Sequence, residues 1–94
     1  MKIHTLWQQY QGVGLLLMDG LISHEMAYRL MEGWRAVLLW LRWEGIIREL
    51  RERYNNPDYM DGFEYLGTEM MRHREGKGLT NEISNEVIDS LRPQ

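Results

Sequence analysis

The side chains with the most chemical potential in this 94-residue chain are its three histidines and the carboxylates near them. His24 is followed directly by Glu25, and Glu69 precedes His73 by one helical turn. Each pair could share a proton or supply part of a metal's coordination shell. A zinc-protease helix needs a second histidine four residues after the first, and Tyr28 holds that place. Glu69 and His73 offer two ligands, and nothing in the sequence brings a third to them, so the histidines read as solvated or capping residues. No serine, histidine and carboxylate stand in a recognisable nucleophile context. The absence of cysteine removes disulfides, thiolate nucleophiles and thiolate metal sites. The expectation is a non-enzyme that uses no cofactor and no metal.

Two glycine-containing stretches need separate treatment. Asp19-Gly20-Leu21-Ile22-Ser23 resembles the middle of an EF-hand calcium loop, with Asp, Gly, Ile and Ser at its fifth, sixth, eighth and ninth places. Its first, third and twelfth places would be Leu15, Leu17 and Met26, so the carboxylates that such a loop needs are missing. A helix stop at Asp19-Gly20 followed by an N-cap at Ser23 accounts for the same residues. Gly76-Lys77-Gly78-Leu79-Thr80 has phosphate-loop residue types but lacks the first glycine and the Gly-Lys-Ser/Thr run, and reads as a turn.

The elements that would carry any site are helical. Ile3, Leu6, Trp7, Tyr10, Val13 and Leu17 recur at three- and four-residue spacing, which predicts an amphipathic first helix, with a strand over the first five residues as the alternative. Thr5, Gln8, Gln9 and Gln11 form its polar side, and Gly12 and Gly14 mark either a kink or a close approach of another helix. A second helix is predicted from Ser23 through Tyr54, with Glu25 and Arg29, Glu44 and Arg48, and Glu49 and Arg53 paired one turn apart. Gly33 and Gly45 are its weak points, and a kink at Gly45 could re-aim its second half. Asn55-Asn56-Pro57-Asp58 breaks the chain; Asn56 can cap and Pro57 can open a third helix reaching about Glu75. That helix would bury Tyr59, Met60, Phe63, Leu66, Met70 and Met71. Thr80 or Asn81 would cap a short last helix with the stripe Ile83, Val87, Ile88 and Leu91.

The central segment, residues 21–54, organises the rest. At about 100° per residue its first half puts Ala27, Leu30, Met31, Trp34, Val37, Leu38 and Leu41 on one side. Its second half puts Ala36, Trp40, Trp43, Ile47, Leu50 and Tyr54 on a face roughly 160–200° away. Where the stripes overlap, Ala36 to Leu41 is apolar all round and must be covered on every side. Three amphipathic neighbours cover one broad face of such a helix easily, and two only by straddling it. The surplus predicts a partner-binding face made of Leu39, Trp40, Arg42, Trp43, Ile47, Leu50 and Tyr54, which combines the Trp, Tyr and Arg types that dominate interface hot spots. The competing reading makes the same stripe the core.

Composition narrows the function classes. With 44% hydrophobic and 27% charged residues the chain is globular and too rich in apolar side chains to be disordered. A net charge of −3 argues against nonspecific affinity for nucleic acid or anionic lipid. Arg35, Arg42 and Glu44 interrupt the best candidate for a membrane span, and no secretory signal pattern is visible, which predicts a cytoplasmic protein. A helix lying flat on a lipid surface from Trp34 to Ile47 would need one apolar face and a Lys/Arg-rich polar face, whereas this segment has two apolar faces and mixed charge.

The reading is therefore a single all-α domain over residues 1–94, a three- to four-helix bundle around one long central helix. Its expected function is non-catalytic protein–protein interaction, as a small homodimeric adaptor or as an inhibitor or regulator docking on a larger protein. By analogy of size and charge it is of the phage or mobile-element type. Helix two packing on its own copy is the simplest closure, and at about 25 cal/mol per Å² four such side chains per subunit would contribute on the order of 10 kcal/mol per dimer before entropy costs. The alternative is a helix-turn-helix nucleic-acid-binding regulator built from residues 58–91, although Glu82 and Glu86 would set acids against phosphate at the start of its reading helix.

Overall fold

α1 runs from Ile3 to Met18 and buries Trp7, Tyr10 and Leu17, with Gly14 completing the same face. The computed structural model describes residues 3–79, with side chains from residue 5 onward. The chain is helical from Ile3, so the strand alternative does not hold there. Asp19-Gly20 stops the helix as expected, in a Schellman turn. Gly20 has φ 74°, its N–H donates to the Leu17 carbonyl at 3.1 Å, and the Leu21 N–H donates to the Leu16 carbonyl at 2.9 Å.

Ser23 then caps α2, His24–Leu30, its hydroxyl oxygen accepting the Met26 N–H at 3.0 Å. The single helix predicted through Tyr54 is in fact two. Glu32 adopts a left-handed backbone, φ 47° and ψ 76°, and α3 starts afresh at Gly33 and runs to Arg53. The reason lies at Gly33, where a Cβ would meet the Tyr28 ring at 2.2 Å. Residue 33 has no side chain, so α2 can fold back and lay Tyr28 across the start of α3. The helix continues through Gly45, where a kink was anticipated.

α4, Asp61–Gly76, begins later than Pro57. Asn56 caps as expected, its Oδ1 accepting the Asp58 N–H at 3.2 Å, but the turn it opens over residues 57–60 ends at Met60, whose left-handed backbone interrupts it before α4. Met60, at the N-cap, has φ 57° and no capping side chain of its own. The cap comes from α1: Gln11 Oε1 accepts the Phe63 N–H at 2.9 Å, and Gln11 Nε2 donates to Asp61 Oδ1 at 2.8 Å. Arg51 ties the connection down, its Nε donating to the Tyr59 carbonyl at 2.7 Å and its Nη2 lying 2.9 Å from Glu64 Oε1.

α4 packs along both α1 and α3. At its crossing with α1 the backbones meet: a Cβ on Gly14 would sit 1.7 Å from the Gly62 carbonyl oxygen, and one on Gly62 would sit 2.4 Å from that of Gln11. Against α3, Gly67 plays the same part beneath Trp40. Five aromatic rings fill the space so made. Tyr10 stacks on Phe63 at 5.4 Å, Trp40 meets Phe63 edge-on at 5.5 Å, and Trp7 meets Trp43 edge-on at 5.6 Å. The result is an all-α bundle in which α3 is the longest helix and α4 the one that packs on both α1 and α3. Among the described residues no helix is long and apolar enough to cross a membrane. The last helix expected after Thr80, and with it the reading helix of the nucleic-acid alternative, lies outside the described residues.

Candidate interaction site

The seven residues expected to face a partner do not share one surface. Leu39, Trp40, Trp43 and Ile47 are buried within their own chain. The expectation that a second molecule must cover these four does not hold, because the chain's own helices cover them: α4 packs along α3 with Gly67 beneath Trp40, and Trp7 of α1 meets Trp43. Arg42 is half-buried with its guanidinium 4.9 Å from the centre of the Trp43 ring, and Leu50 is half-buried at the core's edge. Tyr54 alone is well exposed, at 58%, beside Tyr59 at 5.4 Å. The indole N–H groups of Trp7 and Trp43 are buried with no acceptor among the described residues. Leaving such a donor unmet costs about 1–3 kcal/mol, which the burial of two indole rings outweighs.

The uncovered apolar surface lies instead on the first stripe and on the outside of α1. Of the first stripe, Ala27, Val37 and Leu38 are buried while Leu30, Trp34 and Leu41 are exposed. Leu15, Leu16 and Met18 on the last turn of α1, Leu21 in the turn and Met26 on α2 are exposed as well. Seven of the eleven exposed large apolar side chains among the described residues fall between Leu15 and Trp34, with Leu21 at 70% and Leu30 at 60%. The Schellman turn sets Leu21 beside Leu16, its usual hydrophobic partner across the helix end. Met26 and Leu30 stand one turn apart on α2 and form a second ridge. The exposed apolar side chains are thus concentrated in the stretch from the end of α1 to the start of α3.

The histidines and carboxylates singled out in the sequence come together on the other side of α2. His24 Nε2 lies 3.0 Å from Glu69 Oε1, and His73 Nε2 lies 2.9 Å from Glu25 Oε2. Neighbouring residues on α2 thus clasp residues one turn apart on α4, in reciprocal order of charge. Arg72 Nη1 donates to Glu69 Oε2 at 2.8 Å, and Lys77 Nζ lies 3.3 Å from Glu25 Oε2 and 4.4 Å from the centre of the Tyr28 ring. The Tyr28 and His73 rings are 5.1 Å apart. Hydrogen bonding from His73, and then from Lys77, holds the Glu25 carboxyl below its ordinary pKa. His24, Glu69, Arg72, His73, Gly76 and Lys77 line a cleft of about 430 Å³.

This cluster ties α2 to α4. Among the described residues no three His, Cys, Asp or Glu side chains are placed to hold a metal ion. Reading each helix separately missed the clasp. The signal was a matched pair of spacings, adjacent His24-Glu25 against Glu69 and His73 four apart, which becomes legible only once α2 is known to turn back onto α4. Elsewhere burial raises the Tyr10 hydroxyl above its ordinary pKa, and Arg35 partly offsets the shift. Comparison with protein-family models, curated proteins and solved structures gave no match to this chain.

Proposed function

We propose that this chain is a non-catalytic protein–protein interaction module whose contact surface is the α1–α2 corner, and that a second copy of the chain is its simplest partner. The observation that carries the reading is the run of exposed Leu15, Leu16, Met18, Leu21, Met26 and Leu30 along the end of α1, the turn and α2, in a protein whose Trp7, Trp40 and Trp43 are already enclosed. Apolar side chains gathered in this way mark contact surfaces, whereas scattered ones do not. An isologous pairing would lay each corner on its twin and cover both at once. A larger protein docking on the corner would make the chain an adaptor or inhibitor by the same surface.

Sedimentation and light scattering at micromolar concentration test the reading, comparing the natural chain with the Leu21→Glu/Leu30→Glu variant. Both positions are exposed, so the variant keeps its helical circular dichroism and its melting temperature. A natural chain that dimerises and a folded variant that does not are the expected results. A natural chain that stays monomeric removes the self-association, and a variant that dimerises as well as the natural chain moves the contact away from the corner.

A further inference from the structure

The joint between α2 and α3 faces α1 across a cleft of about 340 Å³, near the small end of the range for small-molecule sites, roughly 300–1,000 Å³. Leu6 of α1, with Leu30 and Met31 from the end of α2, gives the cleft an apolar wall. Its polar lining includes Tyr10 of α1, Glu32 at the joint and Arg35 in the first turn of α3. The cleft therefore offers a surface for an apolar body together with charges of both signs.

The two charges stand together without satisfying each other. The Glu32 carbonyl accepts the Arg35 N–H at 2.6 Å, which fixes the two residues one turn apart, yet Arg35 Nη1 stays 4.0 Å from Glu32 Oε2. That gap is beyond hydrogen-bond reach, whereas the pairs of Arg53 with Glu49 and of Arg72 with Glu69 close to 2.8 Å. Among the described residues neither the Arg35 guanidinium nor the Tyr10 hydroxyl has a hydrogen-bond partner. Both charged side chains are about half exposed, at 48% and 61%, so a ligand can part them easily. Tyr10 is otherwise buried, and both Arg35 and Glu32 act on its hydroxyl, which sets it beside the pair. Burial raises that hydroxyl above its ordinary pKa and keeps it a donor. Glycine would take the left-handed backbone of residue 32 without strain; glutamate there brings a carboxylate to the cleft.

We propose that this cleft binds a free α-amino acid with an aliphatic side chain, its carboxylate on Arg35, its ammonium on Glu32 and its side chain against Leu6, Leu30 and Met31. Charge separates this ligand from its relatives. A bare carboxylate would be drawn to Arg35 and repelled by Glu32, and a bare amine the reverse. A zwitterion carries both charges on one carbon and meets the two side chains at once, matching their side-by-side placement. The planar guanidinium can hold the carboxylate through two parallel N–H donors, with the Tyr10 hydroxyl as a third. An amino acid with no side chain would forgo the apolar wall. The site goes beyond self-association: Arg35 and Glu32 lie outside the run of exposed apolar residues, and only Leu30 belongs to both.

Titration of the full natural chain with L-leucine, followed by amide NMR shifts, tests this. Saturating shifts are expected at the amides of Leu6 to Tyr10 and Met31 to Arg35, with a Kd of about 1 mM, and none at Glu49 to Arg53 at the other end of α3. Leucinamide masks the carboxylate, isocaproate lacks the amine and glycine lacks the side chain, and each should bind at least about tenfold more weakly. Arg35→Gln and Glu32→Gln change exposed positions, so both variants should keep their helical circular dichroism and bind L-leucine about tenfold more weakly. The analogue series needs no variant and decides the matter even if one fails to fold. No saturation by about 20 mM, an analogue that binds as tightly as L-leucine, or folded variants that bind it like the natural chain would each overturn the proposal. None of these readouts depends on oligomeric state, so they stand whether or not the chain dimerises.

Discussion

The seam between α1 and α4 and the attachment of α2 solve the same problem with different physics. At the seam, Gly14 and Gly62 bring two backbones into contact, Gln11 caps the incoming helix, and Tyr10 and Phe63 seal the space beside them. Shape complementarity does most of that work and is indifferent to salt. α2 buries one methyl group outright and depends on a ring laid over a glycine and on ion pairs whose α2 partners, His24 and Glu25, are half-exposed. Its hold varies with the solution. A small domain can therefore keep one element conditional without endangering the rest, provided that the conditional element carries little of the core.

The sharpest way to break the contrast is Gly14→Ala. A methyl group there collides with backbone, which cannot swing aside as a side chain can, and the expected loss is about 3 kcal/mol in urea unfolding. Gly12→Ala is the control: it lies on the same helix with open space around it and should stabilise by up to about 1 kcal/mol. If the two alanines behave alike, the seam is not set by backbone contact. Next in size is Gln11→Ala, which leaves the Phe63 N–H without its acceptor. It should cost about 1–2 kcal/mol, with exchange at the first turn of α4 rising before that of α3. The smallest effect belongs to the other region. Glu32→Gly relaxes the left-handed joint between α2 and α3 and should raise stability by about 0.5–1 kcal/mol in the same urea unfolding.

Much of the fold was legible because it is written in local chemistry. Gly20 at the helix stop, Ser23 at the next cap, and the Glu44–Arg48 and Glu49–Arg53 pairs stand as expected, since each depends only on residues within a turn or two. The break at Glu32 was hidden because nothing at Met31 or Glu32 forbids a helix. It arises from Tyr28 seeking the bare backbone of Gly33. The burial of Leu39, Trp40, Trp43 and Ile47 within the chain was hidden for a related reason. Periodicity found the stripe of Ala36, Trp40, Trp43 and Ile47, which is buried, whereas the stripe from Ala27 to Leu41 is cut by the break at Glu32; and periodicity carries no information on how closely neighbours can approach. Gly62 and Gly67 let α4 come close enough to enclose Trp40, leaving Leu30 and Trp34 uncovered instead. Glu25 was expected to pair with Arg29 along its own helix; it reaches across to His73 and Lys77. Long-range partners of this kind appear only when the turns are placed.

The cap that Gln11 lends to α4 also dictates an order of events during synthesis. The Gln11 side chain and the Phe63 amide are separated by 52 residues. At about 5–20 residues per second the ribosome needs roughly 3–10 s to deliver the second after the first. Throughout that interval the Trp7 and Tyr10 face of α1 has no α4 to lie against, so the nascent chain carries a bare aromatic surface, which is where a chaperone would be expected to grip it.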